Sequence, residues 1–160
     1  MGRPYMAPIN VAAHTAQLDY FELLAGTTPN RPLLLHGFEL GQSSEFGDAQ
    51  EEELVLVLKR VTGSPTSGSG GGTSTFQPLN PNDPAAGATL ETGNTTKLTG
   101  GTSVELARFS WNVRSSLLYL PTPELRITLD AGTRLVLEEV TTPADSITGP
   151  IGWISIEEIM

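Results

Sequence analysis

Apolar and polar positions alternate with a period of two wherever apolar residues cluster in this chain, the spacing of strands with one buried face. Phe109, Trp111 and Val113 alternate with Arg108, Ser110, Asn112 and Arg114. Leu125, Ile127 and Leu129 alternate with Glu124, Arg126, Thr128 and Asp130. After Asp130-Ala131-Gly132-Thr133, where glycine suits a left-handed turn position, Leu135 and Leu137 resume the pattern, so a hairpin is expected over 124–140. The stretch GWISIEEIM puts Ile154 and Ile156 on one face and Trp153, Ser155 and Glu157 on the other. Further strands are expected around 18–25, 33–40, 52–62, 87–98 and 116–121. Helical spacing is confined to DAQEEELVLVLKR, where Asp48 could cap a helix. The continuous core Leu54-Val55-Leu56-Val57-Leu58 favours a buried strand there instead.

About eight or nine short strands separated by turns predict an all-β fold, an antiparallel β-sandwich of jelly-roll-like form. One stretch interrupts the pattern. TGSPTSGSGGGTSTFQPLNPND (62–83) carries no large apolar side chain from Thr62 to Thr75. As a linker it would leave halves of about 60 and 75 residues, each with a thin core, so a single domain over 1–160 is the better reading. Residues 62–86 then form a long loop or arm between strands. Ordering such a backbone costs ~1–2 kcal/mol per residue with little burial to offset it. Support must come from its own domain or from a neighbouring subunit. If it reaches a neighbour, Phe76 and Leu79 are the candidate interface anchors, stiffened by Pro78, Pro81 and Pro84. Otherwise it is a solvated surface loop.

Composition narrows the partners. The net charge is −9, from 18 acids against nine Lys and Arg, which repels phosphate backbones and anionic membranes. No nucleic-acid or membrane partner is therefore expected. With no Cys there is neither disulfide framework nor thiolate nucleophile. The first 17 residues lack the apolar run of a signal peptide, so the chain is read as made in the cytoplasm without one.

Candidate chemistry is sparse. GSGGGT (68–73) is followed by no Lys-Ser/Thr and opens no helix, so it reads as loop glycine and not as a phosphate cradle. The two histidines, His14 and His36, have no nucleophile elbow to serve. His36, inside LLLHGF, reads as a packed, hydrogen-bonded imidazole, and His14 as the more exposed of the two. Asn80, Asn82 and Asp83 with Asn94 offer oxygen ligands but too little charge for a firm calcium site. Glu51-Glu52-Glu53 and Glu138-Glu139 are adjacent acids, and strand neighbours point to opposite faces, so a paired-carboxylate hydrolase is disfavoured. No catalytic residue, cofactor or metal is assigned. Trp111 reads as core, whereas Trp153, opposite Ile154 and Ile156, is a candidate interface anchor or sugar platform.

The stretches LLLHGFELGQSSEFGDAQEEELVLVLKRVTG (33–63) and PTPELRITLDAGTRLVLEEVTTPAD (121–145), with NPNDPAAGATLETGNTT between them, resemble small virion structural proteins of tailed bacteriophages and prophages. The resemblance covers about two-thirds of the chain and carries no catalytic motif. It implies a non-enzymatic virion protein that decorates or cements a capsid. It further implies a homo-oligomer, expected as a trimer, in contact with the major capsid protein or another virion protein. The alternative function is a receptor- or carbohydrate-binding module of a phage tail or fibre.

Overall fold

The structure is a computed structural model and describes residues 2–27, 30–43 and 52–159. Two antiparallel sheets face each other across one apolar core. The strands are β1 (Arg3–Asn10), β2 (Asp19–Leu24), β3 (Leu33–Gly41), β4 (Glu53–Thr62), β5 (Gly72–Ser74) and β6 (Gln77–Pro78). They continue as β7 (Thr89–Asn94), β8 (Thr102–Asn112), β9 (Leu117–Tyr119), β10 (Thr128–Leu129), β11 (Arg134–Glu139) and β12 (Ile151–Glu158). Sheet I runs β10-β3-β12-β1-β6, with β9 also pairing β3, and sheet II runs β5-β7-β2-β11-β4-β8. Among the described residues no two strands consecutive in the chain are hydrogen-bonded neighbours.

The expected alternation builds the core. Leu54, Leu56 and Leu58 of β4, Leu135 and Leu137 of β11, and Phe21 and Leu23 of β2 point inward from sheet II. Tyr5, Ala7 and Ile9 of β1, Leu33, Leu35, Phe38 and Leu40 of β3, and Ile154 and Ile156 of β12 meet them from sheet I. Edge-to-face rings pack in the core, Phe21 on Phe38 across the gap at 5.5 Å and Tyr20 on Trp111 within sheet II at 6.0 Å, a geometry that adds ~0.5–1.5 kcal/mol per pair beyond burial. Trp111 is buried, as its alternation required, and its Nε1–H donates to the Ser115 carbonyl at 2.7 Å.

Two expectations need correction. Residues 124–140 are not a hairpin. Pro123–Leu125 is a 3-10 turn, β10 pairs β3 in sheet I, and β11 sits between β2 and β4 in sheet II. The turn is present, with Thr133 N–H donating to the Asp130 carbonyl at 3.0 Å and Gly132 at φ +78°, but it carries the chain across the sandwich. Leu129 and Leu135 are both fully buried, reached from opposite sheets. Alternation reports which face of a segment is apolar and not which sheet that segment joins.

The stretch 62–83 is likewise not an uninterrupted loop, since it contains β5 and β6 and is tied to its own sheets. Thr66 and Ser69 form bridges to Thr99 and Thr96, β5 pairs β7, and β6 pairs β1. Residues 66–69 and 96–99 thus lie as a strip over the outer face of sheet II. Under it Val57, Val61 and Val136 point outward from their strands and are still buried. The glycines are there because the strip lies so close. A Cβ at Gly68 would come within 2.7 Å of the Thr96 carbonyl, and one at Gly71 would strike the Thr92 carbonyl. Gly70, at φ +85°, needs the left-handed region as well. Asp48 of the helix alternative lies outside the described residues, and Leu54–Leu58 belong to β4.

Candidate functional site

Acidic side chains hold the excursions onto the sandwich. Glu22 of β2, 4% exposed, accepts the Gly68 N–H at 2.9 Å and pairs with Arg134 at 2.8 Å, while Arg134 also donates to Ser67 Oγ. Asp19 accepts the Leu98 N–H at 2.8 Å. Glu158, 1% exposed, accepts the N–H groups of Gly87 and Ala88 at 2.6 and 2.8 Å and pairs with Arg31 at 3.0 Å. Each carboxylate satisfies backbone donors that would otherwise be orphaned where the chain leaves the sheets. Burial raises the Asp19 carboxyl to about 6, against the opposing Leu98 hydrogen bond, and Glu138 adds to the rise.

At one end of the core Tyr20 donates to Glu139 Oε1 at 3.0 Å, and His14 Nε2 stands 3.3 Å from Glu139 Oε2. Glu139 is fully buried and the His14 side chain is 7% exposed, so His14 is the more enclosed histidine, contrary to expectation. Burial pulls the imidazole pKa down, but the Glu139 carboxylate and the Ala12 carbonyl outweigh it and hold the group above its usual range. Glu138 points the opposite way, between Lys59 and Lys97. The triad holds Leu18–Tyr20 against β11, with Glu139 N–H donating to the Leu18 carbonyl at 3.0 Å.

The two outer faces differ. Sheet II is covered by the strip of 66–69 and 96–99, whereas sheet I presents Met6, Ile151, Leu118 and Leu120, 36 to 59% exposed. Two features stand out. The first is the flank where β8 meets β9. Phe109 and Tyr119 close the core there at 5.6 Å, and Val104 and Leu106 of β8 remain exposed. Among the described residues nothing pairs with the outer edge of β8, the longest strand. A bulge opposite Leu58 and Lys59 places Glu105 and Arg108 on one face, where they form a two-pronged ion pair at 2.9 Å.

The second is a groove of about 610 Å³ on the outer face of sheet I. Pro8, Trp153 and Glu39 are successive cross-strand partners on β1, β12 and β3. Trp153 Nε1–H donates to Glu39 Oε2 at 2.9 Å, which fixes the indole. Ile151 extends the apolar floor, and Asn10 and Ser116 supply polar rims.

The remaining candidates are dispersed. Phe76, 3% exposed, packs in the core of its own chain and is unavailable as an interface anchor, which corrects that expectation. Leu79 is 56% exposed, with its N–H donating to the Pro4 carbonyl at 3.0 Å. His36 bonds Glu157 at 3.0 Å on the outer face of sheet I. Asp83 lies 3.7 Å from Arg3, while Asn94 donates to Glu22 and Glu91, so the oxygen ligands considered for calcium are not gathered together. Glu51 lies outside the described residues; Glu52 accepts the Ala144 N–H at 2.8 Å and Glu53 accepts from Ser110 Oγ at 3.1 Å.

The fold defines a two-sheet antiparallel β-sandwich. Comparison with known proteins finds no matching family, no matching curated protein and no matching solved structure.

Proposed function

We propose that this chain is a non-enzymatic virion structural protein that decorates or cements a phage capsid through homo-oligomeric contacts, expected as a trimer. The observation that carries the reading is the unpaired edge of β8 among the described residues, a strand that also exposes Val104 and Leu106. A long edge strand offers a row of unpaired N–H and C=O groups and is normally blunted by lysine, proline or a covering segment. Here its two charged residues neutralise each other, and Val104 and Leu106 are exposed beside them. That is the chemistry of a surface that pairs with a second copy or with the major capsid protein. The jelly-roll-like form belongs to this proposal. Its support is that β1 to β4 alternate between the sheets and that, among the described residues, no consecutive strands pair.

The test is Val104→Lys with Leu106→Lys, which places like charges along the edge without touching the core. Analytical ultracentrifugation should show the parent as a multimer and the variant as a monomer of equal thermal stability. Only the parent should attach to purified heads of the encoding phage, seen by electron microscopy. A parent that stays monomeric and does not attach to heads refutes the proposal.

A further inference from the structure

We infer that the Trp153 groove is a binding site for neutral saccharides, recognised by one pyranose stacked on the indole. This does not rest on the capsid reading, since the groove and the β8 edge are separate surfaces.

A pyranose ring has an apolar C–H face and an equatorial rim of hydroxyl groups, and the groove has the same division. Its floor is the Trp153 ring with Ile151 and Pro8. Aromatic side chains serve as platforms when one end is apolar and the other wet. The platform is rigid, because Glu39 holds the indole N–H at 2.9 Å and both neighbouring strands are hydrogen-bonded to β12. A preordered ring loses less entropy on binding.

The polar rim has unused capacity. Among the described residues, Glu39 Oε1 and the side chains of Asn10 and Ser116 have no hydrogen-bond partner. Together they provide a carboxylate acceptor, an amide that both donates and accepts, and a hydroxyl. Adjacent hydroxyl groups of a sugar satisfy that mixture, each donating to one group and accepting from another.

Charge excludes other ligands. Glu39 is ionisable and acidic, and no Lys, Arg or His lines the groove among the described residues. A sulfated, phosphorylated or sialylated ligand would meet an uncompensated carboxylate. An ammonium ligand calls for several aromatic walls, and here there is one. A peptide strand has nothing to pair with. The β12 backbone is engaged on both sides, the Pro8 carbonyl accepts from Ser74 Oγ at 2.6 Å, and the Asn10 carbonyl accepts from Thr92 Oγ1 at 3.1 Å. Recognition is left to side chains alone. The volume, about 610 Å³, is within the range of small-ligand sites.

The experiment uses the full chain on an array holding neutral, sialylated and sulfated glycans, followed by nitrogen-15 NMR titration with the methyl glycoside of the terminal sugar that binds. Neutral hexose or N-acetylhexosamine glycans should be retained, and acidic ones not. The Trp153 indole resonance should shift, while that of Trp111, which donates to Ser115 inside the fold, should not. Asn10→Ala, on an exposed side chain without contacts, and Glu39→Gln, which can still accept the indole proton, should each weaken binding about tenfold or more with the thermal midpoint unchanged. Trp153→Ala should abolish it and Trp153→Phe restore part of it. Retention of no neutral glycan, preference for acidic glycans or for choline, or binding that survives Trp153→Ala would each overturn the inference.

Discussion

Asp19 contributes stability that is larger at mildly acidic pH than at neutral pH, and the size of the effect follows from its surroundings. The side chain is 1% exposed, Oδ2 accepts the Leu98 N–H, and Oδ1 is buried without a partner. Burial first, and then the charge of Glu138, raise its carboxyl from 3.8 to about 6 against the pull of Leu98, Lys59 and Lys97. A folded-state pKa above the unfolded value means that the native state binds the proton more tightly. Stability therefore rises as pH falls through 6 and levels off near 4. A shift of about two units corresponds to roughly 3 kcal/mol across that whole window, of which about 1.3 kcal/mol is gained between pH 7 and pH 5. In Asp19→Asn the group no longer titrates, while an amide oxygen can still accept the Leu98 N–H. Urea unfolding of parent and variant at pH 7 and pH 5 measures the effect. With a slope of about 2 kcal/mol per molar, the parent's midpoint should rise relative to the variant's by about 0.6 M on going to pH 5. His14, whose pKa is also raised, works in the same direction but is common to both proteins and cancels in the comparison. If the difference between parent and variant is the same at both pH values, or moves the other way, Asp19 is not the buried titrating group described here.

Phe76→Ala should behave as a core truncation, lowering stability by about 3–5 kcal/mol in denaturant unfolding, whereas Leu79→Ala should change it by less than about 1 kcal/mol. Gly71→Ala forces a Cβ onto the Thr92 carbonyl and should cost about 2 kcal/mol or more, with faster amide hydrogen exchange confined at first to 66–74. His14→Ala leaves the Glu139 carboxylate buried beside Tyr20 alone and should cost about 3 kcal/mol, against less than about 1 kcal/mol for His36→Ala, both read from thermal unfolding at pH 6. Glu22→Ala frees Arg134 and the Gly68 N–H together; a loss of about 3 kcal/mol and early proteolysis within 63–71 are expected from limited digestion.

The strands that could be read from the sequence are those whose alternation is unbroken. Residues 108–113 and 153–156 point as their spacing requires, and the run at 54–58 is a strand because it is apolar on both faces and too β-branched for a helix. β1 escaped notice because Pro4 and Pro8 disguise it. Both point to the outer face, so Tyr5, Ala7 and Ile9 still alternate inward. The supports of the Gly-Ser stretch were harder to find. Asp19 and Glu22 interrupt the apolar run LDYFELL, which was a signal of buried acids, but nothing local says that their partners are amides 79 and 46 residues away. Trp153 was readable as outward-facing from its neighbours; the groove was not, because Pro8, Glu39 and Ser116 join it only through sheet pairing.

The order of strands within the sheets also sets the order in which this protein can come into being. β12 lies between β1 and β3, and β11 lies between β2 and β4, so the middle of each sheet is supplied by residues 134–158. At bacterial and eukaryotic synthesis rates, roughly 5–20 residues per second, the earlier strands wait on the order of ten seconds for their central partners. During that interval β2 and β4 can pair only β7 and β8, and β1 and β3 only β6, β9 and β10, so each sheet lacks its centre. Completion of both sheets therefore waits for residues 134–158 and then depends on contacts between distant parts of the chain, a regime of milliseconds to seconds. Yield in a foreign host should respond to translation speed and chaperone supply more than to any surface substitution.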